Sequence, residues 1–199
     1  MHLLERLRTI RDRALRPLTA ALTSLGVRPL AVSVFGVLAM LAFAFTASWA
    51  PALAVLFMFL SVFSDVMDGS LARYQHADSA HGRVTDVTAD NTSFTIFIFS
   101  VTGMGLVGLW WGMTLVALVL LSALLNTKRA LRHADATGVP PAALAGYWVF
   151  PNYAKALCYG SFLVFVSGGP SLLSSVVMLF VPVMALEVIV RLTALLRHA

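Results

Sequence analysis

Apolar residues fall into six blocks along the chain, over 30–49, 51–64, 84–103, 109–125, 142–166 and 172–195, separated by short polar connections. A helix of about 20 residues crosses roughly 30 Å of hydrocarbon, so the pattern predicts an all-α, polytopic membrane protein with six transmembrane helices. The second block is only about 14 residues long before charges appear. Its helix is therefore expected to continue through Asp65 and Asp68 at the membrane boundary. Ahead of the first block, Leu3, Leu4, Leu7, Ile10, Ala14, Leu15 and Leu18 recur at helical spacing, with Arg6, Arg8, Arg11, Asp12, Arg13 and Arg16 between them. That alternation predicts a basic amphipathic interfacial helix, kinked or restarted at Pro17, with a cytoplasmic docking helix as the alternative. The expected division is thus a membrane-surface helix over 1–22 and a six-helix transmembrane domain over 23–199, with no internal repeat and no soluble domain.

Composition agrees with the pattern. The 199 residues are 59% hydrophobic and only 12% charged, and the mean hydropathy is +0.87; so few charges do not coat a soluble domain. The connections at 46–51, 103–112 and 167–171 carry no lysine or arginine. The alternate ones carry the clusters: six arginines before residue 30, then Arg73 and Arg83, then Lys128, Arg129 and Arg132, and finally Arg191 and Arg197. This is the positive-inside pattern, and it predicts a multi-pass protein with both termini in the cytoplasm. The first block is longer than a signal-peptide core and follows an extended basic region, so it is expected to remain as a spanning helix. A bacterial inner membrane is the expected location. The net charge of +5 does not point to nucleic acid, because the basic residues lie beside apolar segments, where they set orientation and meet anionic lipid. Cys158 is the lone cysteine, which excludes an intrachain disulfide framework and a cysteine metal site.

The candidate chemistry lies in the acids. Five of the nine acidic residues, Asp65, Asp68, Asp78, Asp86 and Asp90, fall within 26 positions bracketed by apolar sequence. Asp65 and Asp68 are i, i+3 and Asp86 and Asp90 are i, i+4, so each pair shares one helix face. A short connection over Arg73–Gly82 would bring the two helix ends together antiparallel, so that the four carboxylates converge. Such charges repel strongly in a partly dry site unless cations neutralise them. Oxygen-only donors suit Mg²⁺ or Mn²⁺, with two ions expected, and His76 and His81 read as loop residues outside the donor set.

Written out, the spacing is Asp65-x2-Asp68-Gly69-x2-Ala72-Arg73-x8-Gly82-x3-Asp86-x3-Asp90. In these eight positions the chain resembles the CDP-alcohol phosphotransferases, integral membrane enzymes of phospholipid synthesis. The resemblance implies that Asp65, Asp68 and Asp86 ligate metal, and that Asp90 touches the second ion and acts as general base. It implies that Gly69, Arg73 and Ser79 contact the CDP part of the donor, and that Ala72 and Gly82 allow close helix packing. These roles suit the residue types: glycine lets a nucleotide approach the backbone, and arginine offers a planar fork to phosphate oxygens. The implied reaction is metal-assisted transfer of a substituted phosphoryl group from a CDP-alcohol, with CDP-diacylglycerol the expected donor, to a hydroxyl of a small polar acceptor. CMP leaves, and a homodimer is implied as well.

Members of this family often open the first spanning helix with Pro-Asn followed by Ser or Thr and Gly. Here Pro29, Ser33 and Gly36 fit, while Leu30 stands in place of the asparagine. For the acceptor, Arg129, Lys155 and Arg191 are the candidate cations. Arg191 resembles in position the acceptor-phosphate arginine of phosphatidylinositol-phosphate synthases, although the loop around 128–138 does not match that subgroup closely. Glu187 and Arg191 also form an i, i+4 pair that explains both residues without a ligand. Lys155 lies deep in the bilayer if its helix begins near Ala142, and near the interface if it begins at Pro151. A cation transporter or channel is the alternative reading, since intramembrane carboxylates often mark ion pathways. It wants acids near the midplane on several helices, whereas these gather at one boundary.

Overall fold

The computed structural model describes residues 2–76, 80–137 and 149–196. Helices follow in chain order: α1 His2–Ser24, α2 Pro29–Thr46, α3 Pro51–Tyr74, α4 Ala80–Gly103, α5 Leu109–Thr137, α6 Val149–Val166 and α7 Leu173–Leu196. Among the described residues there is no strand. Three helical segments, Pro29–Thr46, Pro51–Tyr74 and Leu173–Thr193, are long and apolar enough to cross a membrane, and Leu109–Leu125 and Lys155–Val166 are shorter apolar helices. Of the six expected spans, three meet the length and composition of a crossing among the described residues.

Local chemistry sets the helix ends. α2 and α3 each open on a proline, which loses nothing there because the first N–H of a helix has no partner to bond. α1 closes where Gly26 takes φ +70°; the Gly26 N–H reaches the Thr23 carbonyl at 3.0 Å and the Val27 N–H the Leu22 carbonyl at 3.0 Å. Gly168, at φ +87°, ends α6 in the same way, and a side chain at either position would be strained. α1 runs through Pro17, so of the two expected outcomes the restart is absent. α3 does continue through Asp65 and Asp68. The connection expected over Arg73–Gly82 is shorter than that: Arg73 is still in α3 and Gly82 is already in α4.

α2 packs along α3 and α4, α5 along α7, and α1 lies against α3. The outward faces are apolar, with Phe35, Leu38, Phe45, Leu56 and Phe59 exposed. The inward faces hold small polar residues, and Ser33, Ser61, Ser64 and Ser93 are buried. This inversion suits lipid outside and close helix contact inside. At Gly36 α2 approaches α3 closely: a Cβ there would lie 3.0 Å from Ser64 Cβ and 3.4 Å from the Ser61 carbonyl oxygen. Towards the end of the bundle where α3 begins, the core becomes aromatic. Phe43, Phe94, Phe97 and Phe162 are fully buried; the Phe43 ring stands 5.3 Å from Phe97 and 5.2 Å from Phe162, and Tyr159 meets Phe97 edge-on at 4.7 Å. Edge and offset contacts of this kind add to the area they bury.

Candidate active site

Where α2, α3, α4 and α6 meet, a cavity of about 190 Å³ opens in the half of the bundle that holds the acids. α3 contributes Ser61, Asp65 and Asp68, one turn apart along one face, and α4 contributes Asp90 and Ser93. α2 adds Ser33 and Gly36, and α6 adds Lys155 and Tyr159. The i, i+3 spacing of Asp65 and Asp68 thus becomes a shared wall, as helical periodicity requires.

Each acid has a distinct setting. Asp68 is 3% exposed and accepts a hydrogen bond from Ser33 Oγ at 2.5 Å, which ties the start of α2 to α3. Asp65 is exposed at the cavity. Asp90 is paired with Lys155, whose Nζ also donates to Asn91 Oδ1 at 3.2 Å and stands 5.6 Å from the Phe94 ring centroid. Lys155 is 5% exposed. α6 is described from Val149 onward, and the Lys155 charge meets a carboxylate and an amide inside the bundle; the stretch around Ala142 that would decide how deep the helix begins lies outside the described residues. The side chains of Asp86 and Arg129 fall outside the described residues, as does Ser79. Among the described residues no group of three or more Asp, Glu, His or Cys is gathered closely enough to hold a metal ion. The donor chemistry of Asp65, Asp68 and Asp90, all carboxylates on one cavity, still fits a hard divalent cation.

Arg73, expected at the donor nucleotide, leaves the cavity wall and turns to α1. Its Nε donates to Asp12 Oδ2 at 3.0 Å and its Nη2 to Asp12 Oδ1 at 2.9 Å. Ser70 Oγ reaches the same Oδ1 at 3.0 Å. This grip, chiefly the hydrogen bonds from Arg73, holds the Asp12 carboxyl down at about 2, against an ordinary 3.8, despite the opposing effect of partial burial. A second tie fixes α1 to α3 independently: Gln75 Nε2 donates to Thr23 Oγ1 at 3.2 Å and to the Val27 carbonyl at 2.9 Å. Gly69 and Ala72 sit on α3 beside this cluster and Pro29 opens α2 at the same end.

Arg191 pairs with Glu187 one turn earlier on α7, as the i, i+4 spacing predicts, and neither lines the cavity. Sequence reasoning missed the engagement of Asp12 with Arg73 and that of Lys155 with Asp90. Its nearest signals were the single acid in the arginine-rich helix and the lysine that stood outside every basic cluster. The buried serines Ser61 and Ser93 gave no signal at all.

The family model described as CDP-alcohol phosphatidyltransferase matches residues 27–190. No curated protein and no solved structure matches the chain.

Proposed function

From the premise that the chain belongs to the CDP-alcohol phosphatidyltransferase family, and is thus an enzyme of phospholipid synthesis that transfers a phosphatidyl group from a CDP-alcohol, we propose CDP-diacylglycerol as donor and a small polar alcohol as acceptor. The observation that carries the reading is the single cavity lined by Asp65, Asp68, Asp90 and Lys155.

Asp90 accepts the proton of the acceptor hydroxyl. The freed oxygen attacks the β-phosphorus in line, a new P–O bond forms, and the bond to the CMP oxygen breaks. Asp65, Asp68, Asp86 and Asp90 would hold two Mg²⁺ or Mn²⁺ ions, which supply charge stabilisation on the pyrophosphate and on departing CMP. Gly69, Arg73 and Ser79 bind the CDP portion, with Pro29 framing that side, and Ala72 and Gly82 keep the helices close. Lys155 holds the Asp90 carboxylate in place before substrate arrives and, with Arg129 and Arg191, offers positive charge on the acceptor side. The membrane arrangement we infer is α1 on the inner surface, followed by six spans with both termini cytoplasmic, in a homodimer at a bacterial inner membrane. A water-soluble nucleotide and a diacyl tail then meet at one boundary.

The test is CMP release from CDP-diacylglycerol against serine, glycerol phosphate, inositol, inositol phosphate and choline, with wild type and Asp90→Asn. One acceptor should respond, and Asp90→Asn should abolish transfer while Mn²⁺ binding, followed by electron paramagnetic resonance, is largely kept. Full activity in Asp90→Asn refutes the base assignment. Silence with every acceptor refutes the donor.

A further inference from the structure

Arg73 ends α3 on a long, partly exposed side chain, with 43% of its surface accessible. A free arginine there would sample many rotamers, and fixing it on a ligand costs side-chain entropy. In this chain the ordering is already made. Asp12 takes the Nε and Nη2 edge of the guanidinium in two near-parallel hydrogen bonds, and Nη2 also lies 3.3 Å from Ser70 Oγ. The other edge points elsewhere: a Cβ at Gly69 would stand 3.5 Å from Arg73 Nη1, so Nη1 overlies the one position of α3 with no side chain to cover it. The two Nη1 hydrogens make no hydrogen bond among the described residues. An arginine carries five N–H donors in a fixed fork, so holding one edge sets the direction of the other.

We infer that Asp12, carried in on the amphipathic helix, is a positioning residue for donor binding: it grips one edge of Arg73 so that Nη1 is presented over Gly69 to the anionic pyrophosphate of the CDP-alcohol. This rests on Arg73 being a donor contact. Asp12 does not cancel the local positive charge, because Arg11 Nε also lies 3.3 Å from its Oδ1, leaving two guanidinium groups around one carboxylate. Nor is Asp12 the sole tie between α1 and α3, since Gln75 bonds Thr23 and Val27 farther along. Orientation of Arg73 and docking of α1 are therefore separable.

The experiment measures kcat and KM for CDP-diacylglycerol and for the acceptor in detergent micelles with the full chain. Its variants are Asp12→Asn, Asp12→Glu, Gln75→Ala, Arg73→Ala and the pair Asp12→Asn with Arg73→Ala. Asp12→Asn keeps the shape and loses the charge; it should raise donor KM about three- to tenfold, the scale of one weakened charge-assisted contact, with kcat and acceptor KM within about twofold. Asp12→Glu, which keeps the charge, should fall between the two. Arg73→Ala should raise donor KM more, and adding Asp12→Asn to it should change nothing further. Gln75→Ala should leave donor KM unchanged. An unchanged or lowered donor KM in Asp12→Asn overturns the inference. So does an equal rise in Gln75→Ala, or an effect of Asp12→Asn that persists without Arg73. If Arg73→Ala itself leaves donor KM untouched, the assignment of Arg73 to the donor fails first and the inference falls with it.

Discussion

Replacing Gly36 tests the geometry that closes α2 on α3. A methyl group at this position would meet Ser64 Cβ at 3.0 Å and the Ser61 carbonyl oxygen at 3.4 Å, whereas carbon atoms in favourable contact lie about 3.5–4.0 Å apart. α2 must back away from α3 by roughly half an ångström or more. Ser33 lies one turn earlier on the same face and moves with it, stretching the 2.5 Å hydrogen bond to Asp68 to roughly 3 Å. Overpacking a tight contact costs about 1–3 kcal/mol, and weakening a bond to a buried carboxylate adds to it. With about 2–4 °C in melting midpoint per kcal/mol for a chain of this size, Gly36→Ala should melt several degrees below wild type and release CMP more slowly. Gly36→Leu should be worse on both counts. Gly160, in α6, is the control: a Cβ there meets nothing within 4 Å, so Gly160→Ala should be neutral or gain about 0.5–1 kcal/mol from helix propensity. Differential scanning fluorimetry and initial rates give both readouts. Gly36→Leu with a wild-type melting point and rate refutes the reasoning.

Three further outcomes follow from the charges. Lys155→Met leaves Asp90 without its partner; because the Asp90 side chain is 30% exposed, water takes part of the load and the loss should be about 1–2 kcal/mol, less than for a fully buried pair. CMP release should fall tenfold or more, and an unaltered rate would remove Lys155 from the site. Glu187 and Arg191 have side chains only 13% and 11% exposed, so Glu187→Leu alone should destabilise by about 3 kcal/mol while the double change to leucine is milder; a double variant melting below the single one contradicts this. Asp12 has its folded pKa depressed to about 2 from 3.8, so its contribution is complete above about pH 4 and disappears as the pH falls through 2. Screening at a carboxylate one-third exposed limits it to about 1 kcal/mol. The gap in melting point between wild type and Asp12→Asn should close over that window, and a constant gap counts against it.

Much of the architecture was legible because periodicity reports which face of a helix is buried. The acids at 65, 68 and 90 sit on one wall for that reason, and the shortness of the second apolar block correctly required α3 to carry its own carboxylates. Which cation meets which acid was not legible. Asp12 and Arg73 are 61 positions apart, and Lys155 and Asp90 are 65 apart; such pairings depend on how helices lie against one another, which no local spacing encodes. Whether α1 restarts at Pro17 was not legible for a related reason, since contacts with α3 fall on both sides of the proline. Arg191 shows the reverse: its partner is one turn away, and i, i+4 spacing sufficed.

Phe94 and Phe97 meet Tyr159, which lines the polar cavity, and Phe97 packs in turn against Phe43 and Phe162. In an energised bilayer a pocket full of carboxylates is a hazard, since ions drawn into it feel the voltage across whatever lies beyond. Rings in close contact offer a dehydrated ion no ligands, so we expect the charged chemistry to proceed without a leak of ions past this layer.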